Sequence, residues 1–195
     1  MGLVSRQEMV DDIGDRLPGI RQAMDGAWEK WQAAPAEFKL GLSRRCRSDL
    51  IHDWTVLEAS GLLNDADVFD KSQLKLFVFD QRYALRFKKL DRDLHPRNQP
   101  SAQVAAFRSQ RPIYGVPAIH NLEAGYVASG DGQKIESYHL VCPNGAGVYW
   151  SLELEATQAI FSPPDLFEDE TDDSPAKFGR KKTDVIVPFK KKDEQ

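Results

Sequence analysis

The chain has 195 residues, 41% apolar and 29% charged, with 26 basic against 30 acidic side chains and a formal net charge of −4. This is the composition of a globular domain with an appendage, and it excludes collagenous and disulfide-scaffold classes. No run approaches the roughly 18–20 consecutive apolar residues that a bilayer span needs.

The first residues already carry Arg6, Glu8, Asp11, Asp12, Asp15 and Arg16, so neither secretion nor membrane insertion is expected. Two cysteines, Cys46 and Cys142, make no disulfide framework, and the expected location is the cytoplasm. The acidic balance argues against a cationic surface spread over the whole molecule but leaves room for a local one.

Residues 1–63 are helical by period. Val4, Met9, Val10, Ile13 and Leu17 share one face of a helix beginning near Ser5, which Pro18-Gly19 breaks. Ile20, Met24, Ala27, Trp28 and Trp31 mark a second helix over residues 20–32, ending before Pro35. Phe38, Leu42, Cys46, Leu50, Trp54 and Leu57 predict one continuous third helix stopping at Gly61, with Arg44, Arg45, Arg47 and Asp53 on its other faces.

At Leu74 the period changes to two. Residues 74–79 and 83–88 read as strands around a tight turn at Asp80-Gln81, which lacks the favoured glycine. In the second strand Tyr83, Leu85 and Phe87 point one way, while Ala84, Arg86 and Lys88 point the other. A polar connection holding Pro96, Asn98 and Pro100 follows, and Ser101 caps a short helix that exposes Arg108. Residues 119–128, 134–142 and 148–155 are further strands, joined by the turns Ser129-Gly130-Asp131-Gly132 and Pro143-Asn144-Gly145-Ala146-Gly147.

The expectation is an α+β fold: N-terminal helices packed on a mostly antiparallel sheet of about five strands. Residues 1–63 and 64–162 form one globular domain. Residues 163–195 form a disordered charged tail, with an acidic block (Asp165, Glu168, Asp169, Glu170, Asp172, Asp173) ahead of a basic one (Lys177, Arg180, Lys181, Lys182). Within the tail, Val185, Ile186, Val187, Pro188 and Phe189 make an apolar island that suits partner docking by strand addition.

Catalytic and metal chemistry find little support. His139 and Cys142 are three apart on a strand, so alternation sends them to opposite faces, and neither metal site nor cofactor is expected. Cys46 has three arginine neighbours that would activate a thiol, but its place on the apolar stripe makes it a small core residue. An enzymatic site from His95, His120 or Cys142 requires the fold to bring them together.

Residues 82–111 hold eight cationic side chains against two carboxylates, an excess of six. Arg82, Arg86, Lys88, Lys89 and Arg92 are the candidate contacts to nucleic acid or to an acidic partner, with Phe77 or Tyr83 available to stack on bases.

The string Phe79-Asp80-Gln81-Arg82-Tyr83-Ala84-Leu85-Arg86-Phe87-Lys88-Lys89-Leu90-Asp91, with Phe107-Arg108-Ser109-Gln110 and Gly125-Tyr126-Val127 after it, resembles uncharacterised bacterial proteins of prophages and other mobile elements. Such proteins are often encoded beside helix-turn-helix regulators that carry a metallopeptidase-like domain. The resemblance covers residues 74–154 and implies a regulatory, toxin–antitoxin or phage-defence setting with a protein partner; it carries over no catalytic residues.

The leading expectation is a non-enzymatic interaction protein that docks a protein partner in part through its tail. The alternative is a nucleic-acid-binding module using the basic sheet face. An uncovered edge strand also admits a homodimer.

Overall fold

A computed structural model describes residues 2–71, 74–96 and 101–155, with the side chain of Lys71 excepted. All of these lie within one unit of the chain, residues 1–158; the second unit, residues 159–195, lies outside the described residues, and the expected tail and its apolar island with it.

Helix α1 (Arg6–Ile13) is capped by Ser5, whose hydroxyl accepts from the Glu8 amide at 3.1 Å. A single 3₁₀ turn, Gly14–Arg16, leads into α2 (Leu17–Ala33). Pro18 therefore opens the second helix, because a first-turn proline gives up no intrahelical hydrogen bond.

The expected third helix is two. Gly41 ends α3 (Ala36–Leu40), and Ser43 starts α4 (Arg44–Leu62) by accepting from the Cys46 amide at 3.2 Å. The cap overrides the periodicity, and the buried stripe of α4 becomes Ile51, Thr55, Val56 and Ala59. Leu57 and Cys46, both expected inside, are exposed.

Six strands follow: β1 (Asp67–Lys71), β2 (Leu74–Phe79), β3 (Tyr83–Leu90), β4 (His120–Ala128), β5 (Ile135–Asn144) and β6 (Gly147–Glu153). They form one sheet in sequential order, antiparallel except for the parallel pair β3–β4. The α+β architecture and mostly antiparallel sheet are as expected. The additional strand is β1, whose Asp-Val-Phe-Asp-Lys sequence carries too many charges to read as a strand and makes a charged sheet edge.

Helices α1, α2 and α4 cover one face. Met9, Ile13, Ile20, Met24, Ala27, Ile51 and Ala59 pack there on Phe77, Phe79, Tyr83, Leu85, Phe87, Leu122 and Leu140. The chain crosses the opposite face through α5 (Ala102–Arg108), as a parallel return demands. Its Phe107 packs with Leu76, Val78 and Ala84. Phe77 and Tyr83 are fully buried and offer no ring for stacking on bases.

The β2–β3 turn is tight, as expected: the Arg82 amide donates to the Phe79 carbonyl at 2.9 Å, and Asp80 and Gln81 both have positive φ, at 52° and 53°. Where Pro143 interrupts β5, the Gln110 side-chain amide fills the gap. It accepts from the Asn121 amide at 2.8 Å and donates to the carbonyls of Asn121 at 2.9 Å and Pro143 at 2.8 Å. No helix among the described residues is long and apolar enough to cross a membrane.

Candidate functional site

The basic run expected along one face of β3 is divided among three places. At the strand's start, Arg82 pairs with Glu8 and Asp12 of α1, and the neighbouring Tyr83 hydroxyl donates to Asp12.

Mid-strand, Arg86 is 1% exposed beneath α5. Its Nε donates to Glu123 Oε1 at 3.0 Å, while Arg108 Nη1 takes the other carboxylate oxygen at 2.8 Å. Arg86 lies 4.3 Å from the centre of the Phe107 ring. Arg108, expected on the surface, also donates to the carbonyls of Gly145 and Gly147 at 3.0 Å each and ties α5 to the β5–β6 turn. Arg86 is thus no surface contact. In the parallel register it stands opposite Glu123, and the crossover helix closes over both.

Arg82 keeps 35% of its side chain exposed at the strand's start, and the end of the run opens on a groove. Lys88, Lys89 and Arg92 line a groove of about 960 Å³ at the carboxyl ends of β3 and β4. The other contributors are the first turns of α4 and the β4–β5 turn, so that six cationic side chains meet three carboxylates. Arg44, Arg45 and Arg47 complete the cationic set. In the sequence these three stood out as neighbours of Cys46, and their placement after a Ser43 cap was the signal that they begin a helix rather than ride along its middle.

Each carboxylate of the groove has a local task. Asp91 accepts from the amides of Asp93 at 3.0 Å and His95 at 2.9 Å. Asp131 accepts from the Ser129 hydroxyl and from the Gln133 amide at 3.0 Å, which hold its carboxyl below its ordinary range. Asp49 lies 3.7 Å from Arg45 in an exposed pair. The three carboxylates keep their negative charges, and the six cations exceed them by three, which makes the groove's potential positive.

The cations are not equivalent. Arg47 lies 4.9 Å and 5.4 Å from the ring centres of Trp31 and Trp28 and donates to the Gly132 carbonyl, joining α4 to the β4–β5 turn. Gly132 has φ 67°, a backbone conformation that favours glycine. Arg92, 78% exposed, lies 3.7 Å from Glu136. Burial pushes the Lys88 amine below its ordinary value, and Arg86 adds to the effect. In register opposite Lys88 is Gly125, where a Cβ would come within 2.3 Å of the Lys88 carbonyl.

His52 and Lys88 share a water-sized niche of about 20 Å³ beside the groove. Burial and then Lys88 lower the His52 imidazole from its ordinary 6.5. It is neutral near pH 7 and adds a positive charge on acidification.

Among the described residues no group of three or more His, Cys, Asp and Glu side chains is placed to hold a metal ion. His139 and Cys142 face opposite sides of β5, as alternation predicts: Cys142 joins Leu140 in the helix-side core, while His139 contacts the Ser137 hydroxyl at 2.8 Å. Burial pushes the Cys142 thiol up to about 12, with Glu123 contributing, which keeps it protonated at neutral pH. No known protein family, curated protein or solved structure matches this chain.

Proposed function

We propose that this protein is a non-enzymatic nucleic-acid-binding module of the cytoplasm that holds the phosphate backbone in the groove between α4 and the carboxyl ends of β3 and β4. The observation that carries the reading is the meeting of six cations from separate segments around one concavity, in a chain whose net charge is −4. In an acidic protein, cations gathered with only three carboxylates make a local attractive field for phosphates.

This order reverses the one the sequence suggested. Docking of a protein partner through Val185, Ile186, Val187, Pro188 and Phe189 stands on sequence alone, as does a homodimer through an edge strand; the groove has both place and charge.

The test is fluorescence anisotropy of the full-length chain with labelled oligonucleotides. Arg44→Glu and Arg92→Glu are expected to weaken binding roughly tenfold each and to flatten the salt dependence by about one phosphate contact each. Arg111→Glu, an exposed cation outside the groove, is the matched control and is expected to leave affinity unchanged. Equal losses from all three variants, or binding insensitive to salt, would contradict the proposal.

A further inference from the structure

We infer that Arg47 is the positioning residue of the groove: it fixes the β4–β5 turn against α4 and so sets the spacing of these two walls, while phosphate is met by its neighbours Arg44 and Arg45. The inference rests on the nucleic-acid reading and deepens it. The three arginines enter α4 together after the Ser43 cap, but helical spacing turns them to different sides. Arg44 and Arg45 are exposed, whereas Arg47 is half-buried and lies against the rings of Trp28 and Trp31 of α2.

The turn is a preformed unit. The Gly132 amide donates to the Ser129 carbonyl at 2.7 Å, the Ser129 amide to the Lys134 carbonyl at 2.9 Å, and the Lys134 amide to the Ser129 hydroxyl at 3.1 Å. These bonds stay within the turn, so they fix its shape and not its angle to the helices. Two bonds from the helices act on that angle. The Arg47 guanidinium donates to the Gly132 carbonyl, and the side-chain amide of Gln32, at the end of α2, donates to the Gln133 carbonyl at 2.9 Å.

A guanidinium held by two indole rings and a carbonyl has its orientation set by the protein. Its planar fork stacks and donates at once, which an ammonium on a flexible stem does not reproduce. Lys39 of α3 braces the same support: its Nζ lies 5.6 Å from the centre of the Trp31 ring and donates to the Gln32 carbonyl at 2.7 Å. Three helices thus converge on the turn through Arg47 and Gln32. A ligand lying between the turn and the start of α4 meets walls whose separation is already set, and affinity gains because little has to be ordered on binding.

The experiment compares Arg47→Lys, Arg47→Met and Arg44→Glu in the full-length chain, by hydrogen exchange of residues 129–134 without ligand and by anisotropy with a labelled oligonucleotide. Both Arg47 variants are expected to speed exchange in the turn about tenfold, as the loss of one charged hydrogen bond would. Both should weaken binding by about tenfold alike, with no rescue by lysine. Arg44→Glu should weaken binding and leave exchange in the turn unchanged. If Arg47→Met does not fold, Arg47→Lys carries the test together with Gln32→Ala, a change at an exposed position that should speed the same exchange by a smaller factor. Full affinity in Arg47→Lys beside a loss in Arg47→Met would make Arg47 a charge contact and overturn the inference. Unchanged exchange in the turn, or a lowered unfolding midpoint with affinity intact, would overturn it as well. If the unaltered chain binds no oligonucleotide, the nucleic-acid reading falls, and exchange in the turn alone decides whether Arg47 holds the wall.

Discussion

Arg86 and Lys88 are two residues apart on β3 and carry the same charge, yet they belong to different parts of the molecule. Arg86 lies under α5, shares Glu123 with Arg108 and holds the crossover helix to the sheet. Lys88 borders the groove. Two guanidiniums on one buried carboxylate serve architecture, and removing the carboxylate strands both charges away from water. Around the groove the cations outnumber the carboxylates six to three and leave a net positive field. A positive charge along a strand thus takes its role from what faces it.

The largest effect is expected from breaking the buried side of this comparison. Glu123→Ala should cost about 3–5 kcal/mol in urea unfolding, because Arg86 and Arg108 lose their shared acceptor. A loss below about 1 kcal/mol would show that the triad relaxes to water.

Arg92→Glu is the counterpart at the groove. It should leave the unfolding midpoint nearly unchanged while lowering oligonucleotide affinity roughly tenfold, about 1.4 kcal/mol. If instead it shifted stability and not affinity, the two regions would not differ in the way described.

A smaller gain is expected at the β2–β3 turn. Gln81→Gly relieves a positive φ and should stabilise the fold by about 0.5–1 kcal/mol without touching affinity, as judged by thermal unfolding and anisotropy together.

Acidification should move the two properties in opposite directions. His52, His120 and His139 are all held below 6.5, first of all by burial. Between 6.5 and the lower folded values the unfolded chain binds more protons, so stability falls as pH drops through that window and levels below it. As the pH falls to and below its lowered folded value, His52 in the folded protein gains its proton and adds positive charge at the groove, and phosphate affinity should rise there. His52→Gln should remove the rise and reduce the fall, by chemical denaturation and anisotropy at matched pH.

Much of the fold was legible in the chain because local signals agreed with packing. Alternation of Tyr83, Leu85 and Phe87 set one face of β3, and Ser101 capped α5, accepting from the Val104 amide at 3.2 Å. The Asp80-Gln81 turn formed without glycine because Asp tolerates a positive φ and the strands on either side pair. The helix over residues 38–57 failed as a single element because its apolar period ran through the Gly41 and Ser43 signals. Restarting α4 at Arg44 turned the stripe away from Cys46 and Leu57.

The candidate site was half legible. Lys88, Lys89 and Arg92 were named from charge density alone, and with them Arg82, which pairs with α1, and Arg86, since alternation cannot tell a solvent face from one that a later helix covers. Arg44, Arg45 and Arg47 are over forty positions away from Lys88, a separation that no local pattern spans.

What the chain by itself determined is local: helix caps, strand faces, turn positions and the excess of positive charge near residues 82–111. These depend on neighbours within a few residues, where backbone sterics and side-chain periodicity act. The tertiary structure alone decided which charges are spent and which remain. The α5 crossover made the β3–β4 step parallel and brought Glu123 beside Arg86. Packing of α4 on the sheet gathered its first-turn arginines with the strand ends around one groove. Pairing and burial of charge depend on distance in space, and that distance exists only once the sheet and helices have assembled.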